Sequence, residues 1–508
     1  MKLKKLASNA SYLVIHWFSL SFLSALFWVL SGKFLSAENL GIVSTSYNFA
    51  SIVSVVSSLG IGIAIFKLIS EYSATGHMKK VSSIVRSAFK LLIISNLVSF
   101  AIIALFSSSF SQFLKIEPQV VVITAVIAVF LSVSAIIGYT LFGFQSMKIY
   151  AITDVISVAI RVISTTVLIF LGFSFFGPLM GLILSLMVLV LLRLNVFKLI
   201  KNSGGSSFRE IFKYSIPALI GSFAVITFNN TPFIILTFIK DLSVTGLFTP
   251  AMLLVTPLLI LPAVFASASF PIMSGLSAKL EKGTEERAVI ELVFRYALFV
   301  TLPLLVFIVL LSDQFILLLF KPEYLPATEI LPILALGAVL YGIGGILLNY
   351  IYAMKHPKTQ QNILIVVATS FLLLAISLTF YFSTVGMAIA YFLASLMLFS
   401  LAYVNLNKLV KFSINYDMMF KLLLSSIIIS AFIVYMKEFF IGKFIVILII
   451  LSGLIYLGSL ALFRFYNHID LRLIEYLLSR SPKGFKSILK SLLELMKKVI
   501  LKNSQERQ

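Results

Sequence analysis
Cysteine is absent from the 508 residues, which removes disulfides, thiolate metal sites and cysteine nucleophiles from consideration. Acidic residues are scarce as well: 19 Asp and Glu stand against 40 Lys and Arg, for a formal charge of +21. No Asp or Glu falls in the middle third of a long apolar segment; Asp154, Glu291 and Glu329 all lie near segment ends. A cation exporter driven by protons or sodium ordinarily holds its ion on a buried carboxylate, so this scarcity counts against one. HExxH, P-loop and paired-carboxylate motifs are missing. The expectation is a protein that is not an enzyme and uses no cofactor and no metal.

What the chain has is apolar length. Apolar residues make up 60% of it and the mean hydropathy is +1.09, far above soluble domains. Fourteen apolar segments fall at roughly 12–32, 42–66, 88–109, 119–143, 154–173, 175–193, 213–238, 244–270, 291–312, 329–354, 360–382, 384–405, 419–436 and 444–463. Each is about twenty residues, the length that crosses a ~30 Å hydrocarbon core as a helix. Only six basic residues lie in the odd-numbered connections: Lys33, Lys115, Lys240, Lys321, Lys437 and Lys443. Most of the others occupy the amino-terminus, the even-numbered connections and the carboxy-terminal tail. Basic residues near spans stay cytoplasmic. The pattern therefore predicts an all-α polytopic protein of the plasma or inner membrane, with fourteen transmembrane helices and both termini inside. Its excess charge suits anionic membrane lipids and needs no nucleic acid. Met1 to Lys5 before an apolar run resembles a signal peptide, but the run is too long and has no small-x-small site before Lys33.

An internal repeat divides the chain. Ser36-Ala-Glu-Asn-Leu-Gly41 enters segment two, and Asp241-Leu-Ser-Val-Thr-Gly246 enters segment eight, 205 residues later. Lys90 and Arg295 share that offset, and Met147-Lys148 and Met354-Lys355 come close to it. The expected organisation is an N-lobe at 1–200 with six spans, a C-lobe at 209–405 with six more in the same orientation, and two added spans at 419–463. Lys201-Asn-Ser-Gly-Gly-Ser-Ser-Phe208 reads as the linker between lobes. Parallel repeats of this kind place a transport site between the halves. At 468–502 apolar residues recur at helical spacing opposite a lysine-rich face, which predicts amphipathic tail helices at the cytoplasmic surface.

Polar residues inside spans mark candidate sites. Asp154, Ser157, Arg161, Ser164 and Thr165 form one stripe on segment five, facing either an aqueous cavity or another helix. Arg161 is the principal candidate, because its guanidinium can bind phosphate through two parallel hydrogen bonds. Ser44, Asn48, Ser51 and Ser58 form a second stripe, bordered by Tyr47. Segment seven carries Ser215, Ser222 and Asn229 at seven-residue steps, with Asn230 beside the last. Lys67, Lys90 and Arg295 lie at inner ends, as anchors or as a funnel for anions. His16 is a candidate for proton coupling. Segments one to five contain no proline, whereas Pro232, Pro257 and Pro262 interrupt segments seven and eight and are candidate gating points.

The stretch Leu40-Gly41-Ile-Val-Ser-Thr-Ser-Tyr47-Asn48-Phe-Ala, continuing through Ser58-Leu59-Gly60-Ile61 to Phe66-Lys67-Leu-Ile-Ser-Glu71, resembles polysaccharide transporters of the MOP flippase superfamily. The nearest types are Wzx-like O-antigen and oligosaccharide flippases, with lipid II flippases more distant. The resemblance extends to the plan of six, six and two spans. It implies a MATE-like two-lobe fold that exports a glycan carried on polyprenyl (undecaprenyl or dolichyl) phosphate. It also implies that intramembrane cations, here Arg161, hold the anionic headgroup, and that polysaccharide assembly proteins are further partners. The competing expectations are a MATE-type multidrug or cation antiporter and a non-transporting accessory subunit of a polysaccharide assembly complex.

Overall fold
The computed structural model describes residues 2–199, 207–277, 284–466 and 470. The expected tail helices at 468–502, apart from Asp470, and most of the linker at 201–208 lie outside the described residues. All regular elements among the described residues are helical, as a backbone without access to water requires. In chain order they are α1 (Lys2–Phe34), α2 (Ala37–Ser57), α3 (Ile61–Ala74), α4 (Met78–Leu105), α5 (Ser107–Leu114), α6 (Pro118–Gly143), α7 (Met147–Phe170) and α8 (Phe176–Arg193). There follow α9 (Phe208–Ile239), α10 (Leu242–Leu276), α11 (Thr284–Leu310), α12 (Ser312–Leu319), α13 (Leu331–Ala353), α14 (Pro357–Val410), α15 (Tyr416–Met436) and α16 (Ile445–Leu462). Among the described residues, twelve helices are long and apolar enough to cross a membrane. One of them, α14, has 54 residues and is broken at Ser383, where φ is 53°. A shorter apolar stretch, Ser19–Phe34, belongs to α1.

The apolar segment at 42–66 is two helices rather than one. Leu59 and Gly60 both adopt positive φ, 49° and 70°, and separate α2 from α3. A Cβ on Gly60 would lie 2.2 Å from the Ser215 carbonyl oxygen, so glycine permits both the left-handed backbone and the close approach of α9. Apolar residues continue on both sides, which hides the break from any reading of periodicity. The connections at 110–118 and 313–328 are likewise more ordered than loops, since they contain the ends of α5 and α12 and a 3-10 helix at Pro322–Glu329.

Some positions that share the 205-residue offset also share local structure. Ser36 caps α2 by accepting from the Asn39 N–H at 3.3 Å, and Asp241 accepts from the Val244 N–H at 2.8 Å at the start of α10. These caps are 205 residues apart, as are the starts of α5 and α12. Beyond the 3-10 helix the offset grows. Gln145 and Lys355, which end the turns after α6 and α13 with φ of 56° and 65°, are 210 apart. Met147 opens α7 whereas Met354 follows the end of α13, so that sequence match is not a structural equivalence.

Two compact units form. One comprises 1–255, 319–337 and 361–398; the other comprises 256–318, 338–360 and 399–508. In the first, α1 packs on α7, α2 on α6 and α9, and α7 on α8, around buried Phe27, Val43, Leu179, Leu182 and Ile234. In the second, α11 packs on α15 and α16, and the Ser269 hydroxyl lies 2.7 Å from the Tyr350 phenol.

Candidate functional site
Helices α7 and α8 form an antiparallel hairpin about the turn at Gly172–Phe175, so residues equally far from the turn share one level. Asp154 and Arg193 meet in this way, with Arg193 Nη2 donating to Asp154 Oδ1 at 2.5 Å. Arg193 also donates to the Thr153 hydroxyl at 2.9 Å and to the Tyr150 carbonyl at 3.1 Å. His16 on α1 places Nε2 3.6 Å from the other Asp154 oxygen, and its ring lies 5.0 Å from that of Tyr150. His16, Asp154 and Arg193 are all buried. The charge pair thus ties α7 to α8, and His16 brings α1 against α7 beside it. Arg193 has no periodic signal of its own. The clue is its position, as far after the turn as Asp154 is before it.

Much of the stripe on α7 packs against α8. Ser157 donates to the Ser185 carbonyl at 2.7 Å and Thr165 is fully buried against Gly181, so these residues serve the contact with α8. Arg161 is different. It is half-buried, and its Nε reaches only the Ser185 hydroxyl at a long 3.4 Å. Among the described residues no carboxylate lies within 4.0 Å of it, because the nearest intramembrane acid, Asp154, is held by Arg193. Its guanidinium carbon sits 5.7 Å from the Phe27 ring centroid. Phe27 contacts Trp28 edge-on at 5.1 Å, and Trp28 contacts Tyr47 at 5.8 Å. An aromatic wall therefore runs from Arg161 to Tyr47. Since α7 begins at Met147, Arg161 lies about 21 Å along the helix, too deep for its side chain to reach the Met147 end.

Asn48 and Asn230 meet directly: Asn230 Nδ2 donates to Asn48 Oδ1 at 2.8 Å, joining α9 to α2. Nearer the Ala37 end of α2, the Thr45 and Thr237 hydroxyls are 2.7 Å apart, and those of Thr237 and Thr245 are 2.8 Å apart. Asn229 is exposed and bonds back to the Val225 carbonyl at 3.0 Å.

The remaining candidates lie elsewhere. Lys67 places its ammonium 3.8 Å from the Tyr214 ring centroid, and Lys90 is exposed. Close to Lys67, the Tyr72 phenol donates to the Glu210 carboxylate, a bond that raises the phenol above its ordinary pKa. In the second unit, Arg295 Nη2 donates to the Phe465 carbonyl at 2.7 Å and to Asp470 Oδ2 at 2.6 Å, and the Tyr296 phenol donates to Asp470 Oδ1 at 2.5 Å. Arg295 borders a cavity of about 410 Å³ that Lys421 and Arg464 also line, with its own donors turned to Asp470. Helices α9 and α10 run unbroken through Pro232, Pro257 and Pro262; the first and last are buried, and Pro262 packs on Gly342.

Several known proteins resemble this chain in sequence or in fold. An uncharacterized membrane protein of Methanocaldococcus jannaschii is 22% identical over 413 residues, 76% of this chain and 81% of its own length. The lipid II flippase MurJ, in an inward closed conformation, matches with a TM-score of 0.71 at 19% identity, over 89% of this chain and 98% of MurJ. A multidrug resistance MATE family transporter of the MOP superfamily, in an inward-facing conformation, matches with a TM-score of 0.63 at 15% identity, over 77% of this chain and 95% of the transporter. The fold is thus the helical membrane fold that MurJ and MATE transporters share. Residues 6–277, more than half of the chain, match the polysaccharide biosynthesis proteins, and the chain belongs to that family.

Proposed function
We propose that this protein is a flippase that carries a lipid-pyrophosphate-linked oligosaccharide from the cytoplasmic to the outer leaflet by alternating access. Arg161 carries the reading: its deep guanidinium has no acidic partner among the described residues and stands at the end of an aromatic wall. An uncompensated cation at that depth is expensive and is explained by an anionic headgroup that it receives. Asn48, Tyr47, Asn229 and Asn230 supply polar contacts for the sugars. Lys67 and Lys90 attract the anion at the inner side, Arg295 serves as an anchor through Asp470, His16 beside Asp154 is the group for a coupling proton, and Pro232, Pro257 and Pro262 let the gating helices flex. The lobes are 1–200 and 209–405, with two further spans at 419–463. We place both termini in the cytoplasm and count fourteen spans, with α14 crossing twice about Ser383 and α1 crossing once; the sorting of basic residues supports this. The plasma or inner membrane is the site of action, and the carrier is a polyprenyl phosphate. A multidrug exporter fits less well, since Asp154 is neutralised by Arg193 at 2.5 Å.

The test is binding of a polyprenyl-pyrophosphoryl oligosaccharide to the purified protein in detergent. Wild type binds, Arg161→Ala loses roughly tenfold or more in affinity and Arg161→Lys loses less, because a single ammonium cannot form the paired bonds. Equal binding by all three proteins removes Arg161 from the site.

A further inference from the structure
Within the second unit, the starts of α11 and α15 and the end of α16 surround the cavity of about 410 Å³ that Arg295 borders. That volume lies within the roughly 300–1,000 Å³ of small-molecule sites. Phe294, Phe412 and Phe465 are its buried apolar lining, and Glu291, Asp417, Lys421 and Arg464 line it with charge. Most of these charges hold one another. Glu291 accepts from Arg287 Nε at 2.7 Å, Asp417 accepts from Lys421 Nζ at 2.5 Å, and Arg295 donates to Asp470 at 2.6 Å. Lys421 also reaches the Arg464 carbonyl at a long 3.5 Å, which brings the lysine of α15 to the end of α16. An ammonium has three donors, so one of its N–H groups remains for a ligand. Arg464 follows α16 with φ of 56°. Glycine is the residue that this left-handed position favours, so an arginine stands there at a backbone cost. Asn415 caps α15 by accepting from the Met418 N–H at 3.0 Å, and the positive end of that helix opens on the cavity wall. Beside the cavity, Tyr416, Phe420 and Leu462 are exposed and apolar.

We propose that this cavity holds the phosphodiester headgroup of an anionic glycerophospholipid, received by Lys421 and Arg464, with the acyl chains lying along Phe420 and Leu462. The described side chains that meet here are four cations, Arg287, Arg295, Lys421 and Arg464, and three carboxylates, Glu291, Asp417 and Asp470. The excess of one positive charge matches the single negative charge of a phosphodiester. Basic pockets between membrane helices on the cytoplasmic side take anionic headgroups in this way. The sorting of basic residues supports that side for the start of α15 and the end of α16. A lipid bound here braces the two added helices, α15 and α16, against α11. Arg161 belongs to the other unit, and lipid binding at this cavity does not depend on glycan transport.

Binding of phosphatidylglycerol to the full-length protein in detergent, read by native mass spectrometry, tests the site. Wild type takes up this lipid in preference to diacylglycerol, which has the same chains and no phosphate. Lys421→Gln and Arg464→Gly each weaken binding roughly five- to tenfold. Glycine also suits the left-handed backbone at 464, so the second variant separates lost binding from lost folding. Asp417→Asn tightens binding about threefold, because it removes the carboxylate that competes for Lys421. Lys148→Gln, at the start of α7 in the other unit, leaves binding unchanged. Equal binding by wild type, Lys421→Gln and Arg464→Gly overturns the site, as does an equal loss in Lys148→Gln. Displacement of the lipid by inorganic phosphate at the same concentration overturns it too, since the cavity then takes a free anion rather than a headgroup.

Discussion

Arg193 gives its donors to Asp154, Thr153 and the Tyr150 carbonyl, so its charge is answered inside the helix hairpin. Removing one partner of such a pair strands the other. Asp154→Leu or Arg193→Met alone should each cost about 3–5 kcal/mol, and the double variant should recover most of that loss, as read by unfolding in detergent. Additive losses would show that the two do not act as a pair. Arg161, level with Ser185 across the hairpin and without an acidic partner among the described residues, should behave in the opposite way. Arg161→Met should leave unfolding unchanged or make the protein more stable, since it removes a half-buried intramembrane charge that the fold does not compensate. The sequence makes Arg161 conspicuous because it stands in the middle of a polar stripe. Arg193 is as deeply committed to the fold but is hidden, because a basic residue closing an apolar segment is the ordinary membrane anchor. Only the pairing of α7 with α8 separates the two roles.

At the scale of elements, the apolar runs are legible and their interruptions are not. Lipid-facing and core-facing residues are both apolar, so composition carries no mark where α2 gives way to α3. The break depends on Leu59 and Gly60 taking positive φ and on Gly60 meeting the Ser215 carbonyl. Gly60→Ala should therefore cost about 1–3 kcal/mol in thermal unfolding and loosen α9 from α3. An unchanged melting temperature would show that the close approach relaxes freely. The repeat is legible where local chemistry sets it, at the Ser36 and Asp241 caps, and drifts where the extra 3-10 helix at Pro322–Glu329 lengthens the second copy. The same sequence match that pairs Gly41 with Gly246 also identifies two residues that pack reciprocally, a contact no offset alone discloses.

For the whole molecule, charge asymmetry is the strongest statement the sequence makes, and topology is what it asserts. Single cysteines placed in this cysteine-free chain test it without background. Glu323→Cys and Lys437→Cys should react with an impermeant maleimide applied to intact cells, and Lys148→Cys and Lys358→Cys should react only after the membrane is opened. Labelling of the second pair in intact cells would reverse the orientation and with it the direction of transport. The chain belongs to the polysaccharide biosynthesis family and shares its fold with MurJ and MATE transporters, and the proposed direction of glycan export depends on that topology.

The central claim is tested most directly in proteoliposomes that carry a polyprenyl-pyrophosphoryl oligosaccharide, with the fraction of headgroups exposed to an external glycan-cleaving enzyme followed over time. The account predicts that purified wild-type protein moves protected headgroups into the accessible leaflet faster than protein-free vesicles do, and that Arg161→Ala lowers this rate by roughly tenfold or more. Equal exposure with and without the protein would contradict it.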